Sequence, residues 1–246
     1  MSLLASLSTD SSITEEKDSV GSSGPLDSGL YTATIALAYV TKSAGGAMGL
    51  VLNLKTEAGR EIRQTLWMTS GTAKGGKNYY EKDGVKNYLP GFLLAQSLSL
   101  LAAGKEVSDL DTEEKVVKLY DYEAKAEVPT KVQMVMELLD KPILVGVIKQ
   151  IVDKNIKDGQ GNYVPSGETR EENEIDKFFR ASDKKTTAEI RAKLEEADFI
   201  NVWTAKHTAE FVKNKAKGAG AAGTAGAPKA AGAAAGTKKP TTSLFS

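Results

Sequence analysis

Between Ser70 and Tyr88 four lysines, Lys74, Lys77, Lys82 and Lys86, are interleaved with Tyr79, Tyr80 and Tyr88, directly after a segment that carries Arg60, Arg63 and Trp67. Cations beside flat rings are the chemistry a single nucleic-acid strand calls for. Its phosphates take ammonium and guanidinium groups, and its unstacked bases take aromatic platforms at about 1–3 kcal/mol per stack. The same loop also reads as a solvated turn whose tyrosines fold back on a core, because tyrosine serves both purposes. Trp67 shares the face of its strand with Arg63 and Thr65, opposite Ile62, Leu66 and Met68. It is therefore either a base platform or a ring covered by the tyrosine loop or a helix.

Other chemistries are thinly supplied. Residues Gly71 to Asn78 match G-x-x-x-x-G-K, but Asn78 stands where a phosphate-binding loop needs Ser or Thr for magnesium, and a turn sequence follows where a helix should begin. There is no cysteine, and His207 is the single histidine, so disulfides, thiolate nucleophiles and zinc-thiolate sites are all excluded. His207, between Lys206 and Thr208, is expected at the surface. The carboxylate pairs Glu113-Glu114, Glu171-Glu172 and Glu195-Glu196 are adjacent in sequence and diverge on a helix instead of converging on a metal. Asp153, Asn155 and Asp158 fail the calcium-loop spacing, since Asp158 sits where a glycine is required. No catalytic residue, cofactor or metal is expected.

The elements that must position the lysine-tyrosine loop follow from pattern. Tyr31, Ala33, Ile35, Leu37 and Tyr39 alternate on one strand, Met48, Leu50, Leu52 and Leu54 on a second, and Ile62, Leu66 and Met68 on a third, which makes a meander. After the loop, Pro90 opens a helix over 91–103 that Gly104 stops. Residues 109–122 suit helix or strand. Lys131 to Leu139 and Ile143 to Ile156 read as two buried strands split by Asp140-Lys141-Pro142, and Glu171 to Arg180 and Thr186 to Ala197 as short helices. Trp203 and Phe199 are expected to pack a late helix on the core. These elements predict a β-rich α+β domain over 29–217, a five-stranded Greek-key barrel of the OB type with peripheral helices.

The two ends read differently. Residues 1–28 hold five acids against Lys17 among Ser, Gly and Thr, and are expected to form a flexible acidic arm. Residues 218–246 hold ten alanines, six glycines and three lysines without an acid, a composition for a disordered tail ending in Leu244-Phe245. The 32 basic and 32 acidic residues balance overall, yet residues 29–104 carry a net +4. With no apolar run near eighteen residues and no secretory pattern, no membrane partner is expected and the cytoplasm is the expected compartment.

The strand Gly29-Leu-Tyr-Thr-Ala-Thr-Ile35, the loop running into Tyr88-Leu-Pro-Gly-Phe92, and Glu174-Ile-Asp-Lys-Phe-Phe179 before Glu189-Ile together resemble the replicative single-stranded DNA-binding proteins of tailed bacteriophages. The resemblance spans about residues 29–206. It implies an OB-fold core that coats exposed strands during phage replication, repair or recombination, without sequence preference or cofactor. It also implies that replication or recombination enzymes could be met through the termini, and an oligomer is possible. One departure is plain: many such proteins end in an acidic tail with a terminal Phe, whereas residues 211–246 here carry six lysines and no acid. The acidic segment is N-terminal, and residues 10–27 are expected to screen a basic groove in part. Two other classes fit parts of the sequence: a virion or scaffold protein, for which the Gly-Ala tail is natural, and a nucleic-acid enzyme built on the phosphate-loop match.

Overall fold

The structure is a computed structural model that describes residues 24–121, 124–159 and 163–217. Most of the acidic arm and all of the Gly-Ala tail lie outside the described residues. The chain divides into two compact units, one of residues up to 151 with 171–214, the other of 152–170 with the chain from 215 onward.

The first unit is built on a meander of β1 (Gly29–Lys42), β2 (Met48–Thr56) and β3 (Glu61–Trp67), as the alternation predicts. Leu50, Leu52 and Leu54 point into the main core with Ile62, Leu66 and Met68. β1 departs from the expected single face. Its register against β2 shifts between Ile35 and Leu37, and this bulge inserts one residue and reverses the alternation. Ala33 and Ile35 therefore join the main core before the bulge and Ala38 after it, while Leu37 and Tyr39 turn to a second cluster with Val51, Val132 and Met134.

The rest of the sheet is carried by β6 (Glu113–Asp121), β7 (Ala126–Met134), β8 (Pro142–Lys157), β9 (Tyr163–Arg180) and β10 (Val212–Asn214). β8 pairs with the first half of β1, and β7 meets the second half at Tyr39 and Val40. β6 adds outside β7, β9 pairs with β8, and β10 runs parallel to β8. The expected five-stranded closed barrel does not form: this is an open sheet of eight strands, with a separate two-stranded sheet of β4 (Tyr79–Lys82) and β5 (Val85–Tyr88). The physical reason lies at β3. Among the described residues its outer edge pairs with no strand, and the start of helix α1 (Pro90–Ala102) lies against its last residue. A side chain on Gly91 would fall 2.2 Å from the carbonyl oxygen of Trp67. Further along β3 the side-chain carbonyl of Gln64 accepts a hydrogen bond from the Ile175 N–H of β9 at 2.6 Å, so β9 reaches this edge through a side chain and not through a backbone ladder.

α1 starts at Pro90 as expected, buries Ala95, Leu98 and Leu101, and ends before Gly104 at φ 70°. The segment 171–180 is strand, not helix. Ile175, Phe178 and Phe179 lie at helical spacing in sequence, but β9 is buried on both faces here, so Phe178 enters the main core and Phe179 a third cluster. Ile148, Ile200 and Trp203 complete that third cluster. Helix α3 (Phe199–Lys206) lays Trp203 over Gly146, where a Cβ would be 2.7 Å from the ring, and its indole N–H donates to Asp176 at 2.7 Å. Phe199, expected in the core, is 38% exposed at the rim of this cluster. His207 is corrected from surface to buried: its ring packs 4.5 Å from Trp203 and 4.9 Å from Phe211. No helix among the described residues is long and apolar enough to cross a membrane.

In the second unit, Lys154 pairs with Glu168 at 2.7 Å, the Lys157 ammonium lies 5.6 Å from the Tyr163 ring, and the Lys217 N–H donates to Asp153 at 2.9 Å.

α2 is shorter than the expected 186–197: it covers Thr187–Arg191 and is closed by a capping box between Thr186 and Glu189. The buried Glu189 carboxylate accepts from the Thr186 N–H and hydroxyl through one oxygen and from the Phe199 N–H through the other at 2.7 Å, which ties the starts of α2 and α3 together. Burial pushes this carboxyl up, but the donated hydrogen bonds outweigh it and hold the pKa below its usual 4.5. The stabilisation is therefore complete above about pH 4.5 and lost as the pH falls through the lower folded value. Glu189→Gln is expected to flatten the fall in chemical-denaturation midpoint below pH 4.5, and Glu189→Ala to cost about 2 kcal/mol at pH 7 in the same assay.

Candidate nucleic-acid interface

Trp67 is placed by two glycines. In the antiparallel β2–β3 ladder it stands opposite Gly49, and a Cβ on Gly49 would lie 2.9 Å from Cε3 of the indole and 2.8 Å from Cγ2 of Thr65. The missing side chain leaves room for the benzo edge of the ring, Cε3 and Cζ3, directly over Gly49 of β2. The residue stays 43% exposed, although such a large aromatic is ordinarily covered. On its other side the Trp67 backbone carries the first turn of α1 through Gly91.

The segment that follows is fastened, not floppy. The Met68 and Thr69 N–H groups both donate to the Met48 carbonyl, and the Met48 N–H donates to the Thr69 hydroxyl. Thr72 donates to the Gly45 carbonyl through both its N–H and its hydroxyl, and the Ser70 N–H donates to the Lys77 carbonyl at 2.7 Å. Gly75 at φ 82° and Gly76 at φ 61° supply the left-handed backbone that closes the loop. A single turn of 3-10 helix over Thr72–Lys74 leads into β4, so the G-x-x-x-x-G-K match has no following helix.

β4 and β5 form a hairpin where the sequence reading has only a loop. Asp83 and Gly84 at the tip both have positive φ, the geometry that matches strand twist in a two-residue turn. Tyr79 stands opposite Tyr88, and the Lys77 and Lys86 ammonium groups lie 5.4 Å and 5.2 Å from the centre of the Tyr79 ring. Tyr88 packs on Phe92 of α1 with ring centroids 5.0 Å apart and is 55% exposed; Tyr80 is 46% exposed.

Together these elements border a groove of about 850 Å³ along the outer edge of β3, with Trp67, Lys74, Lys77, Tyr79 and Tyr80 in its walls and Leu66, Leu94 and Ile175 among its apolar lining. A smaller recess of about 380 Å³ lies between Asn78, Tyr79, Lys86 and Tyr88. Seven of the ten residues singled out from sequence thus border one groove or the other. Lys82, at the end of β4, and the two arginines do not. Arg60 turns away at the β2–β3 turn and donates to the Gly24 carbonyl, and Arg63, on the Trp67 face of the sheet, reaches the Tyr39 hydroxyl at 3.4 Å. The acids of the larger groove are Glu81 and Glu174, the latter paired with Lys213 at 3.2 Å. Among the described residues no group of three or more His, Asp or Glu side chains could hold a metal ion. Gly49 and Gly91 shape the site without any sequence signal of their own, since a glycine reads alike in a turn and beneath a ring.

The chain matches no family model and no curated protein. The site therefore rests on its geometry.

Gly49→Ala tests that geometry without touching the ring. The added methyl is expected to lift the indole, so that acrylamide quenching of the Trp67 emission rises while the far-ultraviolet circular dichroism stays unchanged. Unaltered quenching would mean that the ring does not rest on Gly49.

Proposed function

We propose that this protein binds single-stranded DNA without sequence preference, along the groove beside β3. The observation that carries the reading is the Trp67 indole, seated over Gly49 and open to solvent in the lining of a groove whose walls also supply Lys74, Lys77 and the Tyr79 and Tyr80 rings. A large aromatic left exposed on a rigid support is ready to stack, and its ordering cost has already been met by the fold. Lysines on a fastened loop offer positive charge at a fixed spacing to successive phosphates. Lys86 and Tyr88 would extend the path into the smaller recess, with Tyr79 shared between the two. Stacking and phosphate contacts carry no base identity of their own, which fits binding to any sequence.

The resemblance to phage replicative single-stranded DNA-binding proteins supports the same class of ligand and a role in replication, repair or recombination. The reading depends on this surface and not on a barrel. Arg60 is left out of the proposed interface; Arg63 could reach a strand that continues from Trp67 over the exposed face of the sheet.

Anisotropy titrations of labelled oligo-dT and of a duplex of equal length, at low and moderate salt, test the proposal. Tight binding to the single strand that weakens linearly with log salt is expected, with the duplex much weaker. Trp67→Ala is expected to weaken oligo-dT binding by about 5- to 150-fold, the equivalent of one lost stack. Lys74→Ala/Lys77→Ala is expected to lower the salt slope by about 1.4, roughly 0.7 per phosphate contact on a single strand. Absence of binding to either nucleic acid at low salt would overturn the proposal in favour of a structural role in a virion or scaffold.

A further inference from the structure

The β6–β7 hairpin ends the sheet with an edge that no described strand covers. Seven of the nine residues of β6 are exposed, among them Val116 at 63%. Uncovered edges of this length invite pairing with another chain. Which chain it would be is written in the spacing of the charges.

The direction of the free backbone groups comes from Pro129. It stands opposite Lys118 in the β6–β7 register, and it has no N–H to donate. The Lys118–Pro129 pair must then be one of the non-hydrogen-bonded pairs of the antiparallel ladder, so the main-chain N–H and C=O of Lys118 point away from β7. By the period of two, those of Val116 and Glu114 do the same. The outer edge thus offers main-chain donors and acceptors at 114, 116 and 118, three positions whose side chains also share one face of the hairpin.

We propose that this edge pairs with the same edge of a second copy of the chain, antiparallel about a two-fold axis at Val116. In that register Val116 meets Val116 of the second copy, and Glu114 of each chain meets Lys118 of the other. All three positions carry outward main-chain groups, so each pair is hydrogen-bonded. The charges complement one another twice in a single isologous contact, as a two-fold axis requires. Shifting the axis by one residue to Val117 would set Glu113 against Asp121, two like charges, and disfavours that register. Glu114 is already held by Lys131 at 2.7 Å, which fixes it on the face where the Lys118 of the second copy would arrive. Lys118 faces only Pro129 across its own hairpin and gains a carboxylate from the pairing. Two edge strands bury less than a standard interface of about 1,600 Å², so the dimer is of the weak, reversible kind. The inference stands apart from nucleic-acid binding, since no residue of β6 lines the groove beside β3.

Sedimentation velocity of the full chain without DNA, over a range of concentrations, tests it. Wild type is expected to pass from monomer to dimer as concentration rises. Val116→Pro removes one outward donor without touching the ladder to β7 and is expected to abolish the dimer. Glu114→Lys leaves two lysines at the edge and Lys118→Glu leaves two glutamates. Each alone is expected to weaken association by about tenfold, and their 1:1 mixture to dimerise again because every cross-pair is then opposite in sign. Misfolding could not produce that rescue. A wild type that stays monomeric throughout, or a mixture that associates no better than its components, would overturn the proposal and leave the edge charges as gatekeepers against pairing.

Discussion

At Gly91 the first turn of α1 rests directly on the backbone of Trp67, closer than any side chain would allow. Much of the molecule depends on that contact. It lies at the end of β3, whose outer edge pairs with no described strand, and seats α1 so that Ala95, Leu98 and Leu101 reach the main core. It also fixes the main chain of Trp67 from one side while Gly49 receives the indole on the other. Two absent side chains thus leave an aromatic ring supported over β2 and partly in water. Burying the ring would gain roughly 2–3 kcal/mol of hydrophobic stabilisation, so an arrangement that leaves it open keeps a surface ready for a partner.

The loop and hairpin after Trp67 hold their charges in a similar way. Thr72 is tied to Gly45, Ser70 to Lys77, and the hairpin is closed by Asp83-Gly84. Two ammonium groups lie near the Tyr79 ring, and Tyr88 leans on Phe92. The rings are braced, and the lysine heads stay in solvent, so a bound strand would order little of the protein beyond the lysine side chains. Two of the sheet's edges are handled in opposite ways. β3 has a helix against its end and becomes the wall of a groove, whereas β6 remains open and carries an alternation of charge that fits its own reverse.

Local pattern was legible where one face of an element is buried and the other is wet. The meander, the Pro90 start and Gly104 stop of α1, and the outward side of Arg63, Thr65 and Trp67 all came from alternation and breakers. Pattern failed where an element is buried on both faces or interrupted. Ile175, Phe178 and Phe179 have helical spacing, yet they belong to a strand between two clusters, and spacing alone does not separate those cases. A bulge after Ile35 splits one apparent face into two. Asp83-Gly84 was a hairpin signal read as a loop because the flanking residues are polar. The lysines and the tyrosines that border the groove are legible from their chemistry, since lysine and tyrosine carry their use in their side chains. Gly49 and Gly91 are not, because what a glycine makes room for is visible only in three dimensions. The polar neighbours of His207 suggest the surface, but the aromatic partners that bury it, Trp203 and Phe211, lie four residues to either side.

The most direct test of the central claim is the emission of Trp67 during titration with unlabelled oligo-dT, taken as the difference between wild-type protein and Trp67→Phe so that the buried Trp203 cancels. Stacking on a base predicts strong quenching that saturates with binding and reverses when salt is added. Saturable binding by anisotropy with no change in the Trp67 emission would contradict it, because the strand would then be held somewhere other than on the ring that the two glycines expose.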